Sequence, residues 1–193
     1  MVIKMKEVEI EYKVLLNKDQ FERIKKEIKF DHYVEQINYY FETDDLELAS
    51  NKVTLRVRNI EDKYYLMIKE SRDKVITDET ILEITLNQFK YIQQHGKLFD
   101  STIKKLVDKY NIKGLLTNQA SLKTFRHYRH YKECVLFIDE SHYYGMVDYE
   151  LELESPSVEL GREVVDELIE TYNLIETDVI GKRKRAYNAK QSQ

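Results

Sequence analysis

The amino-acid sequence predicts an α+β fold organised around a largely antiparallel β-sheet. Segments in which charged and apolar residues alternate occur in the first half of the 193-residue chain and again in the second half. A stretch of helical periodicity separates the two groups, and two further helical patterns follow the second group. The chain contains only one Pro and five Gly residues. We therefore expect long regular elements and a single domain over residues 1–193.

The first half of the chain predicts five strands and one helix. Strict alternation over 7–14 indicates a strand with one charged and one apolar face. Asn17, followed three residues later by Gln20, has the pattern of a helix N-cap and predicts a helix over 17–29. The other strands of this half, the middle two of which form a predicted hairpin, are expected at 33–43, 52–59, 63–70 and 80–86.

The second half predicts a helical segment, a three-stranded meander and two closing helices. Apolar residues recur at helical spacing over 87–110, and Gly96 is expected to divide that helix. The segments that follow are rich in Tyr and β-branched residues, which favours antiparallel strands. They are expected at 120–131, 132–140 and 143–154. The closing helices are predicted over Gly161–Tyr172 and Gly181–Lys190.

Composition and charge narrow the possible functions. The 31 Lys and Arg residues against 35 Asp and Glu residues give a net charge of −4, which argues against a nucleic-acid binder with a globally basic surface. Cys134 is the single cysteine and cannot form an intramolecular disulfide. No apolar run approaches the roughly 18 residues of a membrane span, and the N-terminus lacks a signal-peptide core. We expect a cytoplasmic protein that binds neither nucleic acid nor membrane.

Two of the predicted strands carry rows of carboxylates, because residues two apart in a strand share a face. The first strand aligns Glu7, Glu9, Glu11 and Lys13, and the last aligns Asp148, Glu150, Glu152 and Glu154. Neighbours in such a row lie ~7 Å apart and repel by roughly 2 kcal/mol at an effective dielectric constant of about 20. Water, a divalent cation or facing bases must relieve this repulsion. We therefore expect the two acidic strands to be separated unless a cation lies between them.

The basic residues are equally segregated, and two arrangements explain the pattern. Arg56 and Arg58 share one strand face, and Lys63 and Lys69 share another. In the first arrangement these faces are solvated and pair in exposed salt-bridge ladders. In the second, the apolar faces pack under helices and the charged faces line a closed barrel, which also removes the edges of the sheet. The second arrangement creates a site for an anion and a metal ion together, because carboxylates suit Mg²⁺ or Mn²⁺ and bases bind phosphate.

The acids and bases follow a definite order along the chain. In sequence they are Glu9-x-Glu11-x-Lys13, Arg56-x-Arg58, Lys69, Glu83, Arg126, Asp139 and Glu150-x-Glu152. This order, from Glu7 to about Arg185, resembles the CYTH domain of the triphosphate tunnel metalloenzymes, which include class IV adenylate cyclases, thiamine triphosphatases and inorganic triphosphatases. The resemblance implies a closed eight-stranded antiparallel β-barrel, the triphosphate tunnel, with helices packed outside. It favours the barrel over the solvated sheet.

The resemblance also implies roles for individual residues. The implied metal ligands are Glu9, Glu11, Asp139, Glu150 and Glu152. The implied phosphate ligands are Lys13, Arg56, Arg58, Lys69, Arg126 and Lys182. The implied catalytic residues are Glu9, Glu11, Lys13 and Glu83. Three further acids of the charged faces fall outside these matches and are predicted to be rim charges: Glu7, Asp148 and Glu154.

The leading hypothesis is metal-dependent hydrolysis of a triphosphate, either inorganic tripolyphosphate or an organic triphosphate, with Mg²⁺ or Mn²⁺ as cofactor. A class IV adenylate cyclase, which converts ATP to cyclic AMP and pyrophosphate, is the enzymatic alternative. A non-catalytic polyphosphate- or nucleotide-binding protein is the third hypothesis. The chain has no P-loop, no Rossmann glycine pattern and no nucleophile elbow. The expected partner is a small-molecule triphosphate, and a homodimer is one assembly that the resemblance allows.

Overall fold

A computed structural model of the protein describes residues 3–99, 104, 105 and 108–193. Eight antiparallel strands close into a barrel in the order β1-β5-β4-β3-β2-β6-β7-β8. Their bounds are β1 Ile3–Leu16, β2 His32–Glu42, β3 Val53–Ile60, β4 Lys63–Ser71, β5 Ile76–Ile84, β6 Thr117–Tyr131, β7 Cys134–Tyr143 and β8 Met146–Glu154. The helices around the barrel are α1 Lys18–Ile28, α2 Glu47–Ser50, α3 Leu86–His95, α4 Val158–Tyr172 and α5 Lys182–Gln191.

The eight predicted strands are all present, with differences at their ends. The largest differences are at the starts of β1 and β5, which begin at Ile3 and Ile76 rather than at residues 7 and 80. The predicted division at Gly96 is confirmed, because this residue ends α3 in the left-handed region with φ of 61°. Residues 100–103, 106 and 107 of the predicted helix lie outside the described residues. The single-turn helix α2 was not predicted, because four residues are too few to show a helical period.

The start of α1 is fixed by the residues that the sequence indicated. The side-chain oxygen of Asn17 accepts a hydrogen bond from the Gln20 backbone N–H at 2.9 Å. The Gln20 side chain in turn accepts from the Asn17 backbone N–H at 3.0 Å. This reciprocal capping box satisfies two backbone donors that the helix itself cannot pair. None of the described helices is long and apolar enough to cross a membrane.

Helices cover two separate parts of the outer barrel surface. Apolar residues of β1, β7 and β8, including Val14, Leu136 and Leu151, pack against α1 and α4. A second cluster joins β3, β4 and β5 to α3, with Phe89 and Ile92 as the helical contribution. Each fully buried side chain of this size contributes roughly 1.5–3 kcal/mol. Since the apolar faces point outward to the helices, the charged faces must point into the barrel, and the solvated-sheet interpretation is wrong.

The register of the barrel decides which charged residues meet. Strand β1 pairs with β5 over its first part and with β8 over its second part. The two acidic strands are therefore direct neighbours, with Glu11 opposite Glu154 and Lys13 opposite Glu152. In the closed strand order, β2 is four strands from β1 in either direction. The inner faces of β1 and β2 thus lie on opposite walls.

Gly161 of α4 offers a test of the packing between α4 and β1. A Cβ atom at this position would lie 2.5 Å from Cε2 of Tyr12 and 2.9 Å from Cβ of Ser155. We predict that Gly161→Ala lowers the free energy of unfolding by about 1–3 kcal/mol, because this overpacking outweighs the gain in helix propensity of roughly 1 kcal/mol. Chemical denaturation measures the change. Gly181→Ala is the control, since nothing lies within 4 Å of that site, and an equal loss in both variants would contradict the prediction.

Candidate active site

The barrel encloses a cavity of about 340 Å³ whose lining is almost entirely polar. Its basic residues are Lys13, Arg56, Arg58, Lys69, Arg126, Lys182, Arg183 and Lys184. Its carboxylates are Glu9, Glu11, Glu79, Glu152 and Glu154. Eight basic side chains against five acidic ones leave an excess of three positive charges. Such a cavity attracts an anion that carries several negative charges.

Ion pairs hold most of the cavity bases in place. The Lys69 ammonium lies 2.5 Å from Glu9 and 3.6 Å from Glu79. Lys13 lies 2.7 Å from Glu11. Burial opposes the charged form of Glu9, but its pair with Lys69 wins and holds the pKa of this carboxyl below its usual value. Glu9 therefore remains ionised, and the Lys69 ammonium beside it remains positioned.

Three carboxylates converge on the wall formed by β1 and β8. Glu9, Glu11 and Glu154 each offer one oxygen, and these oxygens all lie within 4.8 Å of one another. Burial, reinforced by the Glu11 and Glu9 carboxylates, raises the pKa of Glu154 to about 8. Hard oxygen donors at this separation are typical ligands of Mg²⁺ or Mn²⁺. A cation bound among these oxygens would relieve the repulsion among the three groups.

Glu154 corrects one expectation from the sequence. It was predicted to be a rim charge, whereas the structure places it in the cavity lining beside the first-strand acids. The period-2 alternation of Glu150, Glu152 and Glu154 already indicated that Glu154 shares a strand face with the other two acids. The register of β8 against β1 was needed to show which of the three acids lies next to Glu11.

Three of the predicted metal ligands instead form ion pairs with basic side chains. Asp139 is fully buried and accepts two hydrogen bonds from Arg126, at 2.8 and 2.6 Å, and one from Lys182 at 2.7 Å. Glu152 lines the cavity but is bound by Arg126 and by Lys182. Burial opposes the charge of Glu152, yet Lys182 and Arg126 hold its pKa well below the usual value. These acids thus orient bases, and the structure separates them from the cluster of Glu9, Glu11 and Glu154.

Glu150 also differs from its predicted role as a metal ligand. It is fully buried, is absent from the cavity lining, and pairs with Arg185 and, at 3.4 Å, with Lys182. Arg185 also donates to Asp148 at 2.7 Å. The sequence matched Lys182 to the family's basic position but left open which base of the run Lys182-Arg183-Lys184-Arg185 reaches the barrel interior. The physical reason is that α5 delivers Lys182 and Arg185 into the barrel, where they pair with the acids of β7 and β8. One oxygen of Glu150, Oε1, is buried without a hydrogen-bond partner among the described residues.

Glu83 is the predicted catalytic acid that the structure does not bring to the cavity. It lies on the same face of β5 as Glu79, but its side chain is exposed near the end of the strand. Glu79 is buried, lines the cavity, and pairs with Arg56 at 3.3 Å. Alternation along β5 marks both acids as inward-facing. It does not show how far along the barrel axis each one lies, which is why Glu79 was missed.

Arg58 differs from the neighbouring cavity bases Arg56 and Arg126. Within the described part of the chain, no carboxylate lies within 4.0 Å of its guanidinium, and its Nε donates to Oδ1 of Asn38 at 3.0 Å. Burial, together with repulsion from Arg56 and Arg126, lowers the pKa of Arg58 to about 9. Arg58 therefore remains charged at neutral pH without a compensating acid. An anion in the cavity would supply that compensation.

The N-terminus of α5 forms part of the cavity mouth. Gly181, Lys182 and Arg183 line the cavity, and the first backbone N–H groups of a helix have no partner within the helix. This end of a helix carries a partial positive charge and favours a phosphate group. Arg183 also reaches Glu42 at the end of β2, at 3.5 Å. Ion pairs to β2, β7 and β8 thus fix α5 across the barrel.

Known proteins match this chain over nearly its full length. A family model described as the CYTH domain matches residues 7–187. YjbK of Bacillus subtilis, which is proposed to be a triphosphatase, is 27% identical over 192 residues, covering 96% of this chain and 97% of that protein. A crystal structure of a Bacillus halodurans protein, proposed to be an adenylate cyclase, matches with a TM-score of 0.86 and 27% identity over 93% of this chain and 97% of that chain.

A more distant structure shares the fold alone. This Hippeastrum protein, proposed as an adenylyl cyclase and described as having a dominant triphosphatase activity, is 18% identical and matches with a TM-score of 0.76. The match covers 96% of each chain.

The carboxylate cluster predicts the effect of removing one ligand. We expect Glu154→Gln to weaken Mn²⁺ binding by at least about tenfold, because the charge and number of carboxylate ligands set divalent-ion affinity. Calorimetric titration with Mn²⁺ measures the change. Glu133→Gln is the matched control, because Glu133 is an exposed acid near Glu154 but outside the cluster. Equal Mn²⁺ affinity in the parent protein and in Glu154→Gln would remove Glu154 from the metal site.

Proposed function

The chain belongs to the CYTH domain family, and on that premise we propose that it is a metal-dependent triphosphatase whose preferred substrate is inorganic tripolyphosphate. One observation carries the proposal: a closed barrel holds an excess of bases together with a separate cluster of three carboxylates. The proposed triphosphatase activity of its relative YjbK agrees with this assignment. The active unit is one domain over residues 1–193, because the last helix contributes Lys182 to the cavity.

Glu9, Glu11 and Glu154 would hold Mg²⁺ or Mn²⁺. The fit rests on the donor set, since three carboxylate oxygens lie within 4.8 Å of one another. Among the described residues, no base lies within 4.0 Å of the Glu154 carboxylate. When bound, the ion would lower the pKa of a coordinated water and polarise the phosphate chain.

The bases of the cavity bind the phosphate chain and balance its charge. Among the described residues, the Arg58 guanidinium donates only through Nε, to Asn38, so both terminal nitrogens are available for a bidentate contact. Lys69 and Arg56 share Glu79, which keeps both cations directed along the same wall. Asp139 fixes the plane of the Arg126 guanidinium through two hydrogen bonds. Because these groups are oriented before the ligand arrives, little reorganisation accompanies the transfer of phosphate to water.

The composition of the cavity wall favours an all-phosphate ligand. Tyr40 is its single aromatic residue, and the lining includes no aliphatic hydrophobic side chain among the described residues. Pockets for organic groups are usually lined by apolar and aromatic side chains. An adenylate cyclase remains the second candidate because the Bacillus halodurans relative is proposed to have that activity. Such an enzyme would have to accommodate adenosine against this polar wall.

Product analysis tests the proposal directly. The protein is incubated with tripolyphosphate, ATP or thiamine triphosphate in the presence of Mg²⁺ or Mn²⁺. We expect orthophosphate to form fastest from tripolyphosphate, and we expect Glu11→Gln to abolish turnover while its circular dichroism spectrum stays unchanged. Cyclic AMP and pyrophosphate from ATP would establish the cyclase instead. Tight binding of tripolyphosphate without any product would support a binding protein.

A second prediction separates phosphate binding from metal binding. Arg58→Ala removes a charge-assisted donor and should weaken metal-free tripolyphosphate binding by at least about tenfold. Glu152→Gln removes a carboxylate that Arg126 and Lys182 share. Metal-free phosphate binding should then be unchanged or tighter, because the cavity loses one negative charge. The Mg²⁺ affinity should stay close to the parent value, because Glu152 lies outside the cluster of Glu9, Glu11 and Glu154. Calorimetry with and without Mg²⁺ measures both effects, and parent-like phosphate binding by Arg58→Ala would place the ligand elsewhere.

A further inference from the structure

One wall of the cavity contains no carboxylate. Strand β2 contributes Gln36, Asn38 and Tyr40, and β3 contributes Thr54, Arg56 and Arg58. The acids that line the cavity belong to β1, β5 and β8. Because β2 is four strands from β1 in either direction, the neutral side chains of β2 face the carboxylate cluster across the barrel. A ligand bound to a metal ion on the β1 wall would turn its other side toward β2.

The orientation of Asn38 is set by its neighbour. Its side-chain oxygen accepts a hydrogen bond from Nε of Arg58 at 3.0 Å, and the residue is only 1% exposed. An amide that accepts through its oxygen must donate through its NH₂ group in another direction. No partner for that NH₂ group is found among the described residues, although Asn38 lines the cavity. Asn38 therefore positions Arg58 and carries a free donor of its own.

Gln36 supplies a second free amide in the same strand. It is 3% exposed and lines the cavity. Its side chain makes no hydrogen bond to the described part of the chain. An amide that lines a cavity and has no partner in the chain can hydrogen-bond to water or to a ligand in that cavity. Gln36 lies two residues from Asn38, so both amides are on the inner face of β2. The two amides and the Arg58 guanidinium thus form one donor-rich, carboxylate-free surface.

We propose that Gln36 and Asn38 are specificity-determining residues that donate hydrogen bonds to unesterified phosphate oxygens on the side of the ligand away from the carboxylate cluster. This inference rests on the proposed function, because it takes the ligand to be a triphosphate. Neutral donors add direction to the binding without adding to the excess positive charge. The ligand class they fit is an inorganic polyphosphate or the terminal phosphate of an organic triphosphate.

Calorimetric titration of tripolyphosphate without metal tests the inference. Gln36→Met keeps the volume of the side chain but removes its donor, and the dissociation constant should rise about tenfold. Asn38→Asp replaces the donor by a carboxylate that pairs with Arg58, and the dissociation constant should rise by at least about a hundredfold. Thr124→Val is the matched control. Thr124 pairs with Gln36 across the sheet, is fully buried, and contacts Ser141, but it does not line the cavity.

Two further measurements distinguish this role from a structural one. Mn²⁺ affinity should stay within about twofold of the parent value in Gln36→Met, because Gln36 faces the metal site from the opposite wall. Titration with ATP identifies the source of the phosphate. If ATP binding weakens as much as tripolyphosphate binding, β2 holds the unesterified end that both ligands share. If only tripolyphosphate binding weakens, β2 binds the terminal phosphate of tripolyphosphate that corresponds to the adenosine-linked phosphate of ATP.

The outcomes separate this inference from the proposed function. Failure of the parent protein to bind tripolyphosphate would overturn both. Binding by the parent, with Gln36→Met equal to Thr124→Val, would overturn the inference and leave the triphosphatase standing. A Gln36→Met variant that loses Mn²⁺ affinity along with phosphate affinity would also overturn it, since that pattern indicates general damage. If Asn38→Asp does not fold, as judged by thermal melting, Gln36→Met decides the question alone.

Discussion

The packing of the apolar strand faces under the helices is the constraint on which the site depends. Val14 and Leu151, for example, are buried beneath α1 and α4. Alternation leaves the intervening charged residues no direction except into the barrel. Burying a charge without a partner costs several kcal/mol. The charged groups of the interior are therefore stable only as ion pairs. The candidate site residues belong to this network of ion pairs.

The register between β1 and β8 divides the interior acids into two groups with different roles. With Glu11 opposite Glu154, the middle of β1 and the end of β8 bring three carboxylates together. The next inward pair places Lys13 opposite Glu152, so a base meets an acid there. A shift of two residues would keep every side chain on the same face. The shift that places Lys13 opposite Glu154 would nevertheless replace the pair of acids by an ion pair, so function depends on register more closely than folding does.

The sequence predicted the faces of the strands better than positions along the barrel axis. Alternation and β-propensity identified all eight strands, alternation separated the charged from the apolar face of β1, β3, β4 and β8, and the Asn17 capping pattern located α1 correctly. It could not show that Glu79 lies in the cavity whereas Glu83 is exposed at the strand end. That difference depends on how far each strand extends in a closed and tilted sheet. The amides of β2 carried no charge pattern, so only the cavity itself revealed them.

The charge balance of the cavity limits what it can bind more strictly than its size does. With three more bases than acids in the lining, a monoanion would leave most of the excess charge unpaired. A dication at the carboxylate cluster increases the positive charge further. Charge neutrality is reached only when the anion spans both walls and carries several negative charges. Arg58, which has no acid of its own among the described residues, is the group that most needs such an anion. A linear chain of phosphates meets these requirements, because it distributes its charge along the line that joins the metal ligands to the β2 wall.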